Sequence, residues 1–131
     1  DDALAHQIEA GADIFLMPSR YEPCGLTQMY SLRYGTVPVV RATGGLDDTI
    51  DEFNPERGTG TGFKFANYSG RAMLDGVRRA LHYYRDEATW RLIQRNGMTK
   101  DFSWKASAAE YAKLYAAVRA SRNQMPVVTS N

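Results

Sequence analysis

A chain of 131 residues with 44% hydrophobic and 24% charged residues has the makeup of one globular domain. Its 16 basic and 15 acidic residues leave a formal net charge of +1, too even a balance to give an electrostatic footprint for nucleic acid or an anionic membrane. A single cysteine, Cys24, rules out an internal disulfide, no His, Cys and carboxylate cluster has metal-ligand spacing, and no apolar run approaches the roughly 18–20 residues of a membrane span.

The start, DDALAHQIEAGADIF, lacks the basic-then-apolar order of a signal peptide, so a reducing cytoplasm is expected. It also lacks an initiator methionine and opens in mid-helix, as a piece of a longer protein would. Leu4, Ile8 and Gly11 fall at helical spacing and end on a glycine stop. Asp13 to Met17 is a compact apolar run closed by Pro18-Ser19, and reads as a central parallel strand buried on both faces. After a loop from Arg20 to Gly25, Leu26 to Tyr34 is helical and stops at Gly35; a strand follows over Val37 to Arg41. The loop Ala42-Thr43-Gly44-Gly45 leads into a short helix from Leu46 to about Glu52. Phe53 to Gly62, FNPERGTGTG, concentrates turn formers and reads as a surface loop of variable conformation.

Gly62-Phe63-Lys64-Phe65 alternates as a third strand, and Ser69 is a candidate N-cap for the next helix. In that helix Leu74, Val77, Leu81 and Tyr84 form an apolar stripe; another helix spans Ala88 to Lys100 with Trp90 and Ile93 as anchors. Behind a cap at Ser103, the spacing of Trp104, Ala108, Tyr111, Tyr115 and Val118 predicts a third amphipathic helix. Trp90, Trp104, Tyr111 and Tyr115 are expected mostly in the core, with a few against an N-terminal domain outside this sequence. Residues 1–121 form the domain, and 122–131 read as a flexible tail. Strands alternating with helices imply an α/β fold with a parallel sheet and right-handed crossovers. Three strands are few for such a sheet, so further strands are expected upstream.

In open parallel sheets ligands bind beyond the carboxyl ends of the strands, where loops run into helix N-termini. Two loops qualify. Pro18 to Thr27 sets a carboxylate, Glu22, and a glycine, Gly25, ahead of a helix whose N-terminal amides suit an anion such as a diphosphate, while Glu22 can accept from sugar hydroxyls. Gly44 and Gly45 stand at the end of the next strand and can line the same crevice, although a glycine after a strand is also ordinary turn chemistry.

The string PSRYEPCGLTQMYSLRYGTVPVVRATGGLDDTI resembles the signature of bacterial glycogen synthases and plant starch synthases nearly position by position. The likeness extends through GADIFLMPS before it and TGFKF, WR..IQ.NGM and DFSW after it, and so covers about residues 1–118. The resemblance implies the later part of the C-terminal Rossmann-like domain of a two-domain GT-B glycosyltransferase. The implied reaction is retaining transfer of glucose from ADP-glucose to the 4-hydroxyl of an α-1,4-glucan end, with no metal and no cofactor. It also implies that Glu22 binds the glucose and stabilises charge at the anomeric carbon, that Cys24, Gly25 and Leu26 offer backbone amides, and that Thr27 binds a phosphate oxygen. ADP-glucose or ADP and the glucan would be the partners, together with an N-terminal domain of the same protein, and the compartment bacterial cytoplasm or plastid stroma.

Related retaining transferases carry a second, ribose-holding glutamate eight positions after the first; here Tyr30 occupies that position, which agrees with the glycogen synthase branch and leaves the ribose contacts unassigned. The family's basic phosphate-binding residues and adenine-stacking aromatic are expected before Asp1, so this stretch alone is expected not to turn over. Blander readings stand beside these. Glu22 suits a surface pair with Arg20, Cys24 a small buried filler, His6 a structural contact, and Arg41 either a salt bridge or the cleft. Asp47 and Asp48 suit the positive end of the helix after the glycine pair. UDP-glucose as donor, or a non-catalytic nucleotide-sugar or glucan-binding module, are the competing functions.

Overall fold

The computed structural model describes residues 1–122; of the tail expected over 122–131, Arg122 closes a helix and the rest lies outside the described residues. The chain divides into two compact units, Asp1–Lys100 and Asp101–Asn131. In the first unit the elements run α1 (Asp2–Gly11), β1 (Ile14–Met17), α2 (Thr27–Tyr34), β2 (Val37–Arg41), α3 (Gly44–Thr49), β3 (Phe63–Phe65), α4 (Gly70–Tyr84) and α5 (Glu87–Met98). The three strands form a parallel sheet in the order β1-β2-β3, with Met17 opposite Val40 and Arg41 opposite Phe65.

Among the described residues β2 lies between the other two strands, and β1, expected as a central strand buried on both faces, pairs with it on one side. The chemistry agrees: Val37 to Val40 are all buried, while Leu16 in β1 is half exposed. A strand covered on both faces must be apolar at consecutive positions, and only β2 is so covered here. Its side chains alternate between two clusters. Val37 and Val39 join Phe53, Phe63, Phe65, Ala80, Trp90 and Ile93 on the face of α4 and α5, and Val40 joins Leu32, Leu46 and Ile50 on the face of α2 and α3.

The expected stripe on α4 is rotated. Leu74, Leu81 and Tyr84 are half exposed, and the residues that meet the sheet side are Ala72, Met73, Gly76, Val77, Ala80 and Tyr83. Gly76 and Ala80 are small, and their size lets the helix lie close to Phe65 and Val39. A periodicity weighted by side-chain bulk overlooks such a face. Ser69 caps this helix as expected, accepting from the Ala72 N–H at 3.2 Å. Asp86 caps α5; the Thr89 hydroxyl, at 2.6 Å, and the amides beyond it hold the Asp86 carboxyl below its ordinary range.

The segment expected to vary in conformation is fastened instead. Phe53 is buried; Asn54 and Thr59 exchange backbone hydrogen bonds, and the Asn54 Oδ1 accepts from Glu56 and Arg57. The Asn96 Nδ2 donates to the carbonyls of Gly58 and Gly60, both at 3.0 Å. Turn-forming composition marks a bend, but its partners come from residues some forty positions later, beyond the reach of local pattern.

The second unit contributes α6 (Trp104–Arg122), which starts behind Ser103, whose Oγ accepts from Ala106 at 3.3 Å. Of the aromatic residues expected in the core, only Trp90 is buried: Trp104 is 91% exposed, and Tyr111 and Tyr115 are exposed too. Helical spacing identifies an apolar face and says nothing of what covers it. No helix among the described residues is long and apolar enough to cross a membrane.

The rotated face of α4 gives opposite expectations for two substitutions in the complete protein that carries this chain. Ala80→Leu overfills a fully buried site and should cost about 1–3 kcal/mol, whereas Leu74→Ala should cost about 0.5 kcal/mol or less. Urea unfolding midpoints check both; the reverse order would restore the bulky stripe as the packing face.

Candidate functional site

Because β1 and β2 run parallel with Met17 beside Val40, the segments that follow them leave the sheet side by side at its carboxyl end. The first runs from Pro18 to Leu26 and enters α2 at Thr27; the second runs through Ala42 and Thr43 and enters α3 at Gly44. The structure thus brings all seven singled-out residues, Glu22, Cys24, Gly25, Leu26, Thr27, Gly44 and Gly45, onto two neighbouring loop-to-helix junctions.

The two junctions touch through bare backbone. The Gly45 N–H donates to the Glu22 carbonyl at 3.1 Å. A Cβ at Gly44 would overlap that same carbonyl, and one at Gly45 would overlap the carbonyl of Cys24. Gly44 has, in addition, a φ of 47°, a left-handed conformation that side chains disfavour. The helix also begins two residues before the expected Leu46, so both glycines sit in its first turn. Gly45 spends its amide on the neighbouring loop; what the pair supplies is room for Glu22–Cys24 to approach.

Across that contact, the backbone N–H groups of Cys24, Gly25, Leu26, Thr27 and Gln28 donate to no protein group among the described residues. Leu26 stands at the N-cap of α2 and supplies no side-chain cap, so the first-turn donors stay open. Gly25 has a φ of 67°, and the turn made there carries the chain into the helix. The Thr27 hydroxyl likewise has no protein partner among the described residues. Glu22 is half-buried beside these donors, and its carboxylate makes no ion pair or hydrogen bond there; the pair with Arg20 is not formed. Cys24 is exposed, which removes the reading of it as a buried filler.

Among the described residues Arg41 makes no salt bridge. Its Nη1 donates to the carbonyls of Arg20 at 2.7 Å and Ser19 at 3.4 Å, and its Nε to that of Ala66 at 3.2 Å. It therefore ties the loop after β1 to the one after β3, and its guanidinium lies 5.5 Å from the Tyr68 ring centroid. His6 Nδ1 meets the Tyr34 hydroxyl at 3.2 Å, away from both junctions. Asp47, in the first turn of α3, pairs with Lys64 at 2.7 Å. Among the described residues no group of His, Cys, Asp and Glu comes together as a metal site would require.

One residue at the site escaped the sequence reading. Gln28 is fully buried beneath the first loop, where its Nε2 donates to the carbonyls of Cys24 at 3.2 Å and Gly25 at 3.1 Å and to the Thr49 Oγ1 at 3.2 Å. The available signal was its place four and three residues after Cys24 and Gly25, one helical turn behind the loop.

The glycosyl transferases group 1 family model matches residues 1–96. The glycogen synthase of Koribacter versatilis is 61% identical over 127 residues, 97% of this chain and 26% of that protein. The glycogen synthase of Thermotoga petrophila is 59% identical over 88% of this chain and 24% of its own length. The catalytic domain of starch synthase IV from Arabidopsis thaliana, bound to ADP and acarbose, superposes with a TM-score of 0.76 at 41% identity, covering 89% of this chain and 24% of that one. This chain spans about a quarter of the length of the curated relatives it matches. The partial parallel sheet with its flanking helices is the Rossmann-like architecture of a GT-B glycosyltransferase catalytic domain. With its whole first unit but the last four residues inside the family match, the chain belongs to the glycosyl transferases group 1 family, close to bacterial glycogen synthases and plant starch synthases.

Proposed function

We propose that the complete protein carrying this chain transfers glucose from ADP-glucose to the 4-hydroxyl at the non-reducing end of an α-1,4-glucan, with retention, and that Glu22 to Thr27 hold the donor's glucose and diphosphate. The supporting observation is the run of five consecutive unspent N–H groups, Cys24 to Gln28, at the start of α2 with the Glu22 carboxylate alongside. As the bond from the anomeric carbon to the diphosphate oxygen breaks, negative charge grows on the leaving group and positive charge on the sugar ring. Fixed donors aimed at the first and a carboxylate near the second stabilise both. A helix N-terminus, with roughly half a positive charge, adds to the donors' effect. The family's relatives named glycogen synthase, and the starch synthase bound to ADP and acarbose, support the choice of nucleotide and glucan.

On this reading Cys24, Gly25 and Leu26 act through their amides, Thr27 through its hydroxyl and amide, and Gly44 and Gly45 by seating the loop. The domain's boundary at about residue 121, the cytoplasmic or plastid location and the reliance on a further domain for acceptor and adenosine belong to the same proposal.

Two measurements test it. Glu22→Ala in the complete protein should lower glucan elongation from ADP-glucose by about 100-fold or more at unchanged thermal stability, and ADP-glucose should outpace UDP-glucose in the parent protein. Unaltered turnover in Glu22→Ala would remove that residue from the reaction, a preference for UDP-glucose would overturn the donor, and binding of either without transfer would indicate a non-catalytic module. Separately, Gly45→Ala should push the first loop off its seat and speed tryptic cleavage after the exposed Arg20, whereas Gly11→Ala, with nothing within 4 Å of the added methyl, should not. Equal cleavage in both variants would mean that the glycine pair does not hold the loop.

A further inference from the structure

The buried Gln28 has no role in the reaction as derived so far. Its side chain is fully enclosed, and burial of a primary amide is costly unless its donors are matched. Here one NH₂ faces three acceptors: the carbonyls of Cys24 and Gly25 and the Thr49 Oγ1. That threefold surrounding fixes the orientation of the amide, since turning it over would set Oε1 against two carbonyl oxygens. The Oε1 is buried without a partner among the described residues and lies under Gly25, where a Cβ would come within 2.7 Å of it. Room for Gln28 is thus a second reason for glycine at position 25.

The chain of bonds closes on itself. Thr49 donates its hydroxyl hydrogen to the Gly45 carbonyl at 2.5 Å and accepts from Gln28, while the Gly45 N–H donates to Glu22. Glu22, Gly45, Thr49, Gln28, Cys24 and Gly25 therefore form a ring that joins the start of α2 to α3. Within it the carbonyls of Glu22, Cys24 and Gly25 are turned inward, the first to Gly45 and the other two to Gln28. A peptide whose carbonyl points one way presents the N–H of the following residue the other way. Tying down the Cys24 and Gly25 carbonyls consequently aims the Gly25 and Leu26 N–H groups outward.

We infer that Gln28 is a positioning residue: its buried amide, relayed through Thr49, sets the direction of the loop donors and the seat of Glu22, and so governs turnover without touching the substrate. The inference rests on the donor reading proposed above. Gln28→Glu keeps the size and removes the donors; Thr49→Val removes the relay at a site only half-buried, and Thr49→Ser restores its hydroxyl.

In the complete protein, with active sites counted by ADP binding, Gln28→Glu should lower kcat by about 100-fold, the loss expected when reacting groups are displaced by an ångström. Thr49→Val should show a smaller loss in kcat that Thr49→Ser recovers, with KM for ADP-glucose raised in the two impaired variants, a change that mere loss of folded protein does not produce. Hydrogen exchange of the Gly45 amide, measured without substrate, should quicken in Gln28→Glu and Thr49→Val and not in Thr49→Ser. Should Gln28→Glu fail to fold, the two Thr49 variants decide alone. Unchanged exchange at Gly45, or faster exchange with unchanged kcat, overturns the inference. If the parent protein shows no transfer from ADP-glucose, the donor reading falls, and the exchange result by itself decides whether Gln28 fixes the loop.

Discussion

The site depends on one steric constraint: two loops must meet backbone to backbone. The Glu22–Cys24 segment rests on Gly44 and Gly45, and no side chain fits at either glycine without striking a carbonyl oxygen of that segment. Everything else at the junction follows from this contact. It lets the Gly45 N–H reach the Glu22 carbonyl, and it brings Thr49 near enough to Gln28 for their side chains to bond. A larger residue at position 45 would break not one hydrogen bond but the ring that joins Glu22, Cys24 and Gly25 to α3.

The sheet makes that contact possible. Parallel strands in register deliver their carboxyl ends to the same height, and β2, with Val37 to Val40 all buried between two helical layers, is the element against which the others are aligned. Arg41 closes the strand and uses three carbonyls, from the loops after β1 and after β3, to hold those loops to it. A cation here organises carbonyl oxygens, which the protein would otherwise leave to water. Packing supplies the frame, and hydrogen bonds to backbone set the loops within it.

How much of this was legible in the sequence depends on the range of the interaction. The strands, the stop at Gly35, the cap at Ser69 and the two loops after β1 and β2 follow from residues within a few places of one another; the parts given to Cys24, Leu26 and Thr27 came from the family resemblance. What failed was of longer range. The deeper burial of Val37–Val40 could not be told from that of Ile14–Met17 because both are apolar runs, and only the layers packed on them separate the two. The packing face of α4 was hidden by its own small residues, Gly76 and Ala80. The fastening of residues 53–62 needed Asn96, and the value of Gln28 needed Thr49, twenty-one positions away in sequence. The exposed rings of Trp104, Tyr111 and Tyr115 show a different limit: apolar spacing marks a face, and within this chain nothing covers that one among the described residues.

Five adjacent N–H groups without protein partners are an unusual expenditure for a short loop, since most backbone donors in folded proteins are paired. Water can satisfy them while the site is open, so the cost of leaving them unpaired is modest as long as they face solvent. What the fold gains is donors whose directions are already set. On the donor reading proposed above, groups that had to turn toward an anion as it formed would add reorganisation to the barrier; with the Cys24 and Gly25 carbonyls tied to Gln28, the Gly25 and Leu26 N–H groups do not turn. In the two peptides that Gln28 ties, the held carbonyl and the unspent N–H are opposite edges of one rigid plane, so the buried amide and the open end of α2 belong to one arrangement.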